Sequence, residues 1–190
     1  AITNALVKEP TRYGQVKREI HDLVFNFLSL CQAICVLGEA TPRALDAVAG
    51  LGERLSVRIL AAAFEDGGTP AKWVEATQLI VTDDRFQSAH PDPGATAQKT
   101  RQVLLRHLEQ GVVPVVTGFI AATAEGVLTT LGRGGSDYSA AILGAALPAD
   151  DVWIWTDVDG VMTADPRLAP EARTIPTLSY REIAELAYFG

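Results

Sequence analysis

Apolar residues recur every three or four positions along several stretches of the chain, the spacing of amphipathic helices. The clearest such stretch covers residues 16–37, and a shorter one covers residues 3–9 and stops at Pro10. Further helices are predicted to begin at Thr41-Pro42, after Gly50, at Thr96, at Tyr138 and at Ser179. Most of these starts have a proline, a glycine or a hydroxyl residue, as is typical of helix starts.

Short apolar runs alternate with these helices and predict strands that are buried on both faces. Residues 152–155 (VWIW) form the most apolar run, residues 112–117 a second, and residues 73–81 contain two shorter pieces. Residues 119–123 and 127–131 flank a glycine-containing turn, the pattern of a β-hairpin. Helices that alternate with strands over short connections predict an α/β fold, a three-layer α/β/α sandwich with a mainly parallel central sheet.

A glycine-rich segment follows the predicted hairpin and is the first candidate for chemistry. The glycines of residues 132–135 (GRGG) permit positive φ and a close approach to a ligand. We expect Ser136 or Asp137 to cap the next helix, whose free N–H groups favour an anion. Arg133 adds a guanidinium group suited to a carboxylate or phosphate. The bare pattern fits an ordinary strand-to-helix turn with a surface arginine equally well.

A second candidate follows the predicted strand at residues 152–155. That strand runs directly into the acidic turn at residues 156–160 (TDVDG). Open α/β sheets bind their ligands at the carboxyl ends of the strands, so this turn is predicted to lie at a ligand site. Glu53, at the entrance of another helix, has two open interpretations: a charge that favours the helix dipole, or part of a site.

Composition and charge exclude several classes of protein. The 190 residues, 48% of them hydrophobic, suffice for one domain or most of one. The net charge of −7 with no basic run argues against nucleic acid and anionic membranes. We expect no membrane-spanning segment or signal peptide, and a soluble cytoplasmic protein. Cys31 and Cys35 are predicted to be buried thiols, and the scattered histidines predict no metal site.

Several segments in order resemble the signatures of the aspartate kinases, in the amino-acid kinase superfamily. Together they cover essentially the whole chain, which makes the resemblance far more specific than any single glycine loop. The segments are residues 52–56 (GERLS), 79–86 (LIVTDDRF), 115–120 (VVTGFI), 130–137 (TLGRGGSD), 155–161 (WTDVDGV), 163–167 (TADPR) and 186–190 (LAYFG).

The resemblance implies a carbamate kinase-like fold and transfer of the ATP γ-phosphoryl group to the β-carboxylate of L-aspartate, the first step towards lysine, threonine and methionine. By this likeness Arg133 and Ser136 hold the carboxylates of aspartate and Glu53 its amino group, while Phe119 and Gly135 line the same pocket. Asp137 organises the catalytic lysines, and Mg²⁺ accompanies ATP. The implied nucleotide-binding residues are Thr156, Asp157, Gly160, Met162, Asp165, Pro166 and Arg167.

The sequence departs from the family pattern in three places. The glycine loop of type Lys-Phe-Gly-Gly-Thr-Ser and the later segment Ala-Lys-Val-Leu-His-Pro, each with an active-site lysine, are absent, and Met162 stands where many relatives have a tyrosine. We therefore expect residues 1–190 to be a partial kinase domain, incomplete at both ends, without a regulatory domain and impaired in catalysis as printed. Exposed sheet edges and apolar surface predict a homo-oligomer.

Three alternatives stay open on the sequence. Asp157 and Asp159 after an apolar strand resemble the first motif of haloacid-dehalogenase-type phosphatases, but the roughly thirty residues that follow are too few for the rest of such a domain. A non-catalytic, kinase-like fragment that binds nucleotide or a partner is the second. The third is a sister activity, such as glutamate or uridylate kinase.

Overall fold

The computed structural model describes residues 2–189, and for Phe189 the backbone alone. The chain divides into two compact units, one ending at Val152 and the other starting at Trp153. The helices are α1 (Ile2–Leu6), α2 (Pro10–Leu37), α3 (Pro42–Ala49), α4 (Leu51–Asp66), α5 (Pro93–Glu109), α6 (Gly135–Ala146) and α7 (Tyr180–Phe189). The strands are β1 (Ala71–Val74), β2 (Val81–Thr82), β3 (Val113–Val116), β4 (Ile120–Thr123) and β5 (Leu128–Thr130).

The strands of the first unit pair mainly in parallel. β1 pairs with β3 from Ala71 opposite Val113 to Val74 opposite Val116. β2 pairs in parallel with β4, and β4 turns back into the antiparallel β5, the predicted hairpin. The predicted α/β class with mainly parallel strands is thus confirmed.

Alternate residues of the parallel strands face two different helical layers. Ala71 and Trp73 of β1 pack with Val115 of β3 against α4. Val74 points the other way, into the main core that α5 and α6 cover. A third cluster, in which Val16 is buried, joins Val7, directly after α1, and α2 to the outer side of α4. The unit therefore has helices on both sides of its strands, with α2 as an additional outer layer.

A charged cluster lies where α4 meets the end of β1. The guanidinium of Arg58 lies 3.9 Å from the ring centre of Trp73, and its Nη2 donates to Glu75 at 2.7 Å. Arg54 donates to the same carboxylate oxygen at 3.0 Å. Because Arg58 is almost fully buried, removal of Glu75 would leave a buried charge with reduced compensation.

The predicted strand at residues 152–155 is wrong. These residues have no regular secondary structure and all four are exposed. The apolar run has the composition of a buried strand, but a buried strand also needs neighbours that complete its hydrogen bonds. No strand among residues 2–189 pairs with it, so the prediction that the acidic turn follows a strand end fails as well.

Two smaller expectations also need correction. The helix predicted to begin at Thr96 instead begins at Pro93, as α5, whose N-cap Asp92 accepts from the N–H of Ala95 at 3.0 Å. Cys31 is half-buried and Cys35 exposed, so neither is a buried thiol; both are unpaired. Both lie in the carboxyl-terminal half of α2, beyond the residues that pack this helix against α4.

The expectation that the chain contains no segment long and apolar enough to span a membrane is wrong for α2. Its 28 residues include a window long and apolar enough to cross a membrane by length and composition. Core helices of soluble proteins and signal sequences meet the same criterion, so this is weak evidence for a span. Its carboxyl-terminal half carries several exposed apolar side chains, which are Phe25, Leu28, Val36 and Leu37.

We predict that Asp66 makes stability depend on pH. Its carboxylate accepts from the backbone N–H groups of Lys8 and Glu9 and from the guanidinium of Arg12. The N–H of Lys8, then that of Glu9, and the Arg12 guanidinium hold the pKa of Asp66 below its usual value. A carboxyl group of lowered pKa stabilises the fold above its unfolded pKa of about 3.9, and this stabilisation is lost as the pH falls through the folded pKa.

Asp66→Asn is accordingly expected to lower the free energy of unfolding at pH 7, with the deficit narrowing below about pH 4. Urea denaturation followed by circular dichroism at several pH values measures it. Asp22→Asn is the control, because that side chain is 79% exposed. A deficit of equal size at pH 7 and pH 3 would contradict the assignment.

Candidate functional site

The turn between β3 and β4 has a strained backbone at Phe119. Its φ is +64°, a region that residues other than glycine rarely adopt. Two hydrogen bonds hold it: the Phe119 N–H donates to Ser139 Oγ at 3.0 Å, and its carbonyl accepts from the Leu131 N–H at 2.9 Å. A non-glycine residue held in this conformation by its surroundings is a frequent feature of ligand sites.

The start of α6 fits closely against that turn. A Cβ at Gly135 would lie 2.8 Å from Cδ2 of Phe119, and a Cβ at Gly118 would lie 2.9 Å from Ser136. Both glycines are therefore required by close packing. The structure brings Phe119, Gly135 and Ser136 close together.

The helix α6 begins differently from the prediction. Its N-cap is Gly134, at φ +70°, and neither Ser136 nor Asp137 makes a capping bond. The positive φ needed for the turn is available to glycine at low cost, so backbone freedom decides the cap position. Within residues 2–189 the N–H groups of Ser136 and Asp137 have no acceptor, and they remain available to an anion at the positive end of the helix.

Arg133 and Phe119 line the same cavity, of about 480 Å³. Arg133 is exposed, and its guanidinium has no carboxylate partner among residues 2–189. A free arginine beside an uncapped helix start is suited to a carboxylate ligand. The cavity is lined by Leu45, Asp46, Val48, Ala49, Gln87, Phe119, Thr130, Gly132 and Arg133.

Glu53 lies in the first turn of α4 and is half-buried. The helix start packs against the hairpin, since a Cβ at Gly50 would lie 2.8 Å from Cγ2 of Ile120. Ile120 directly follows Phe119, so the entrance of α4 packs close to this turn, but Glu53 itself does not line the cavity. Among the described residues Glu53 has no ionic partner, which leaves its carboxylate free for a cationic group.

The second unit holds the residues predicted to bind the nucleotide. Thr156, Asp157 and Gly160 are exposed and lie outside any helix or strand. Gly160 has φ +133°, and a Cβ there would lie 3.2 Å from Cγ2 of Thr174. Met162 forms an isolated antiparallel bridge with Thr174, so these residues belong to one irregular loop structure.

Asp165 and Arg167 form an ion pair within this loop. Nη2 of Arg167 lies 2.8 Å from Oδ2 of Asp165, and the Arg167 N–H donates to Oδ1 at 2.8 Å. The side chain of Arg167 is the main cause that lowers the pKa of Asp165. Pro166 lies between them and is exposed. The pair fixes the conformation of the TADPR segment.

A cavity of about 410 Å³ lies within the second unit. Met162 and Asp165 contribute to its walls, which are otherwise mainly apolar. Such a cavity offers surface for a flat, apolar group and one carboxylate at its side. Gly190, the last residue of the LAYFG segment, lies outside the described residues, and among the residues searched no cluster of three His, Cys, Asp or Glu side chains could hold a metal ion.

Sequence reasoning missed two buried polar residues that organise the first unit. Ser139 donates to the Gly135 carbonyl at 2.7 Å while it accepts from Phe119. Asp46 of α3 is 1% exposed and accepts from Gln87 and Thr130. A serine four residues after a helix start signals a local bond to the preceding turn, whereas no local pattern indicates the partners of Asp46.

Comparison with known proteins places these features in a family. The family model described as "Amino acid kinase family" matches residues 1–190. Lysine-sensitive aspartokinase 3 of Escherichia coli is 38% identical over 97% of this chain and 40% of its own length. The chloroplastic bifunctional aspartokinase/homoserine dehydrogenase 2 of Zea mays is 40% identical over 90% of this chain and 19% of its own length.

A solved structure is similar over the whole chain. It is Escherichia coli aspartokinase III in complex with aspartate and ADP, with a TM-score of 0.86 and 34% identity over 100% of this chain and 48% of that one. The chain thus spans less than half the length of these relatives. Since the family model matches every residue of the chain, this protein belongs to the amino acid kinase family.

Proposed function

We propose that the protein to which this chain belongs is an aspartate kinase. It transfers the γ-phosphoryl group of ATP to the β-carboxylate of L-aspartate and yields 4-phospho-L-aspartate and ADP. The observation that carries the proposal is the similarity of the whole chain to an aspartokinase that was solved with aspartate and ADP. In this proposal residues 1–190 are part of the catalytic domain.

The acceptor is ionised at neutral pH, so the reaction needs no strong general base. A carboxylate oxygen of aspartate forms a bond to the γ-phosphorus while the bond to the β,γ-bridging oxygen breaks, and ADP leaves with that electron pair. Two anions must meet, so catalysis depends on positioning and on positive charge. Where aspartate binds, the free N–H groups at the start of α6 and the unpaired Arg133 provide hydrogen bonds that position the substrate and positive charge that attracts it.

The first unit supplies the proposed aspartate site. Arg133 and Ser136 hold the carboxylates of aspartate, and Glu53 holds its ammonium group. Phe119 and Gly135 form the wall that their mutual packing fixes. Asp137, exposed in the first turn of α6, orients the catalytic lysines that the family resemblance implies.

The second unit supplies the proposed nucleotide site. Met162 would pack on the base of ATP. Thr156, Asp157 and Gly160 would contact its ribose and phosphates. The loop at residues 165–167, held by its internal ion pair, completes the site. Mg²⁺ enters with ATP and balances phosphate charge; the exposed carboxylates of this unit suit a hard cation that shares its ligands with phosphate and water.

The three alternative functions that the sequence left open have less support. The named relatives of this chain are aspartokinases, alone or fused to homoserine dehydrogenase, which does not favour a non-catalytic module or a sister activity. A phosphatase of the haloacid dehalogenase type would need a strand before Asp157, and the structure has none there. We further propose a cytoplasmic homo-oligomer, supported by the exposed apolar side chains of α2.

The proposed activity is tested with the full-length protein, ATP, Mg²⁺ and L-aspartate, with hydroxylamine to trap the acyl phosphate. We expect aspartyl hydroxamate with L-aspartate and none with L-glutamate. With uridine monophosphate, whose phosphorylated product does not react with hydroxylamine, release of ADP is measured instead, and we expect none that depends on the acceptor. Hydroxamate or ADP formation only with a different acceptor would contradict the assignment of substrate. Absence of product with all acceptors would contradict the assignment of activity.

Arg133→Lys is expected to raise KM for aspartate by roughly 10- to 100-fold, because an ammonium group cannot make the paired hydrogen bonds of a guanidinium. KM for ATP should change little, since the nucleotide residues lie in the other unit. Steady-state kinetics measure both constants. Arg106→Lys is the matched control, because Arg106 is exposed on α5 away from the cavity; an unchanged KM for aspartate in Arg133→Lys would argue against the proposed role.

Asp165→Asn is expected to act on the nucleotide side instead. It removes the charge that holds Arg167, so KM for ATP should rise by roughly three- to tenfold while KM for aspartate stays constant. Glu185→Gln is the control, because Glu185 forms an exposed ion pair on α7 with Arg181. A rise in KM for aspartate alone would contradict the division of roles between the two units.

A further inference from the structure

Asp46 is a buried carboxylate with an unusual set of partners. Oδ1 accepts from the Gln87 N–H at 3.0 Å and from the Thr130 hydroxyl at 2.9 Å, and Oδ2 accepts from the N–H groups of Gln87 at 2.9 Å and Thr130 at 3.1 Å. No lysine, arginine or histidine among the described residues forms an ion pair with it. Burial of a charge without a cation is costly, so these donors must carry its stabilisation.

The two donor residues belong to segments that are distant in sequence from α3 and from each other. Gln87 lies in the loop between β2 and α5 and has φ +72°, a strained conformation for glutamine. Thr130 is the last residue of β5 and precedes the turn that carries Arg133. One carboxylate therefore joins a helix, a strained loop and the end of a strand.

These segments are also in direct contact with one another. The Ala89 N–H donates to the Thr130 carbonyl at 2.9 Å. Gly132 has φ +78°, and a Cβ there would lie 3.1 Å from the Gln87 carbonyl oxygen. The loop at Gln87 thus supports the backbone of the glycine-rich turn, and Asp46 fixes that loop from the other side.

Asp46 lies in the wall of the cavity that Arg133 and Phe119 also line. With 1% of its surface exposed and both oxygens engaged, it has little capacity left for a ligand. Asp46 can therefore affect a bound molecule only indirectly, by fixing the backbone of Gln87 and Thr130.

We propose that Asp46 is a positioning residue for the acceptor site: it holds the backbone of Gln87 and Thr130 so that the turn carrying Arg133 keeps the geometry that binds the carboxylates of aspartate. This inference rests on the proposed function. It assigns to α3, which the family resemblance left without a role, the support of the substrate side of the cavity.

The test compares Asp46→Ala, Asp46→Asn and Thr130→Val in the full-length protein with Val57→Ala as control. Val57 is buried in the core between α4 and the strands, so its truncation lowers stability without touching the turn. We expect Asp46→Ala to raise KM for aspartate at least about tenfold, with a smaller change in kcat and constant KM for ATP. Val57→Ala should leave both KM values unchanged at a comparable loss of thermal stability.

The conservative variants separate positioning from general stability. In Asp46→Asn an amide oxygen at the Oδ2 position still accepts from the N–H groups of Gln87 and Thr130. The NH₂ group at the Oδ1 position donates to the Thr130 hydroxyl but loses the second contact with the Gln87 N–H, so part of the loss in KM should be recovered. Thr130→Val removes one hydrogen bond and should give an intermediate KM. If Asp46→Ala does not fold, these two variants decide: wild-type KM for aspartate in both would overturn the proposal, as would an equal rise in Val57→Ala.

Hydrogen exchange distinguishes failure of this inference from failure of the proposed function. If the wild-type protein does not phosphorylate aspartate, the proposed function fails, and amide exchange of residues 84–90 and 130–135 still tests the contact. Faster exchange there in Asp46→Ala, with smaller increases in Asp46→Asn and Thr130→Val and none in Val57→Ala, supports the positioning role. Unchanged exchange in these segments in all three variants of Asp46 and Thr130 overturns it.

Discussion

The hydroxyl group of Ser139 is the contact on which the geometry of the candidate site depends. It accepts from the N–H of Phe119 and donates to the carbonyl of Gly135, and so connects the turn after β3 to the first turn of α6. Without this bond the positive φ of Phe119 would have no compensating interaction on that side. The close packing of Gly118 and Gly135 follows from it, because the two segments are held at a distance that excludes a Cβ.

The charge distribution follows from the same arrangement. Ion pairs neutralise several of the arginines, including Arg12, Arg54, Arg58 and Arg167. Arg133 is instead left free at a helix start whose N–H groups are uncapped. The folded first unit therefore places an unpaired guanidinium and free N–H groups where the proposed acceptor would bind, although the whole chain is acidic. Net charge alone would not have located this region.

Local signals in the sequence predicted most of the helices and the hairpin. Thr41 before Pro42 caps α3 as expected, and Ser179 and Glu182 form the reciprocal capping bonds that open α7. The family resemblance located Phe119, Gly135 and Ser136, which the structure brings together. These features depend on neighbours within a few residues, or on motifs whose order along the chain is itself informative.

The remaining features depend on partners that are distant in sequence. The strand expected at residues 152–155 has a suitable composition, but composition does not supply the adjacent strands that would complete it. The contact between Asp46 and Thr130 spans 84 residues, and no periodicity reveals it. The cap of α6 was misplaced because serine and aspartate are good caps in general, whereas the turn required a positive φ that glycine adopts more easily.

The exposed apolar run at residues 152–155 has a spectroscopic consequence. Trp153 and Trp155 are 73% and 85% exposed, with ring centres 6.2 Å apart, whereas Trp73 is partly buried beneath a guanidinium. The two classes of indole differ in solvent contact, so they differ in emission wavelength and in access to a soluble quencher such as iodide. Intrinsic fluorescence of this chain therefore contains two separable signals, one from the start of the second unit and one from the packing of α4 on β1.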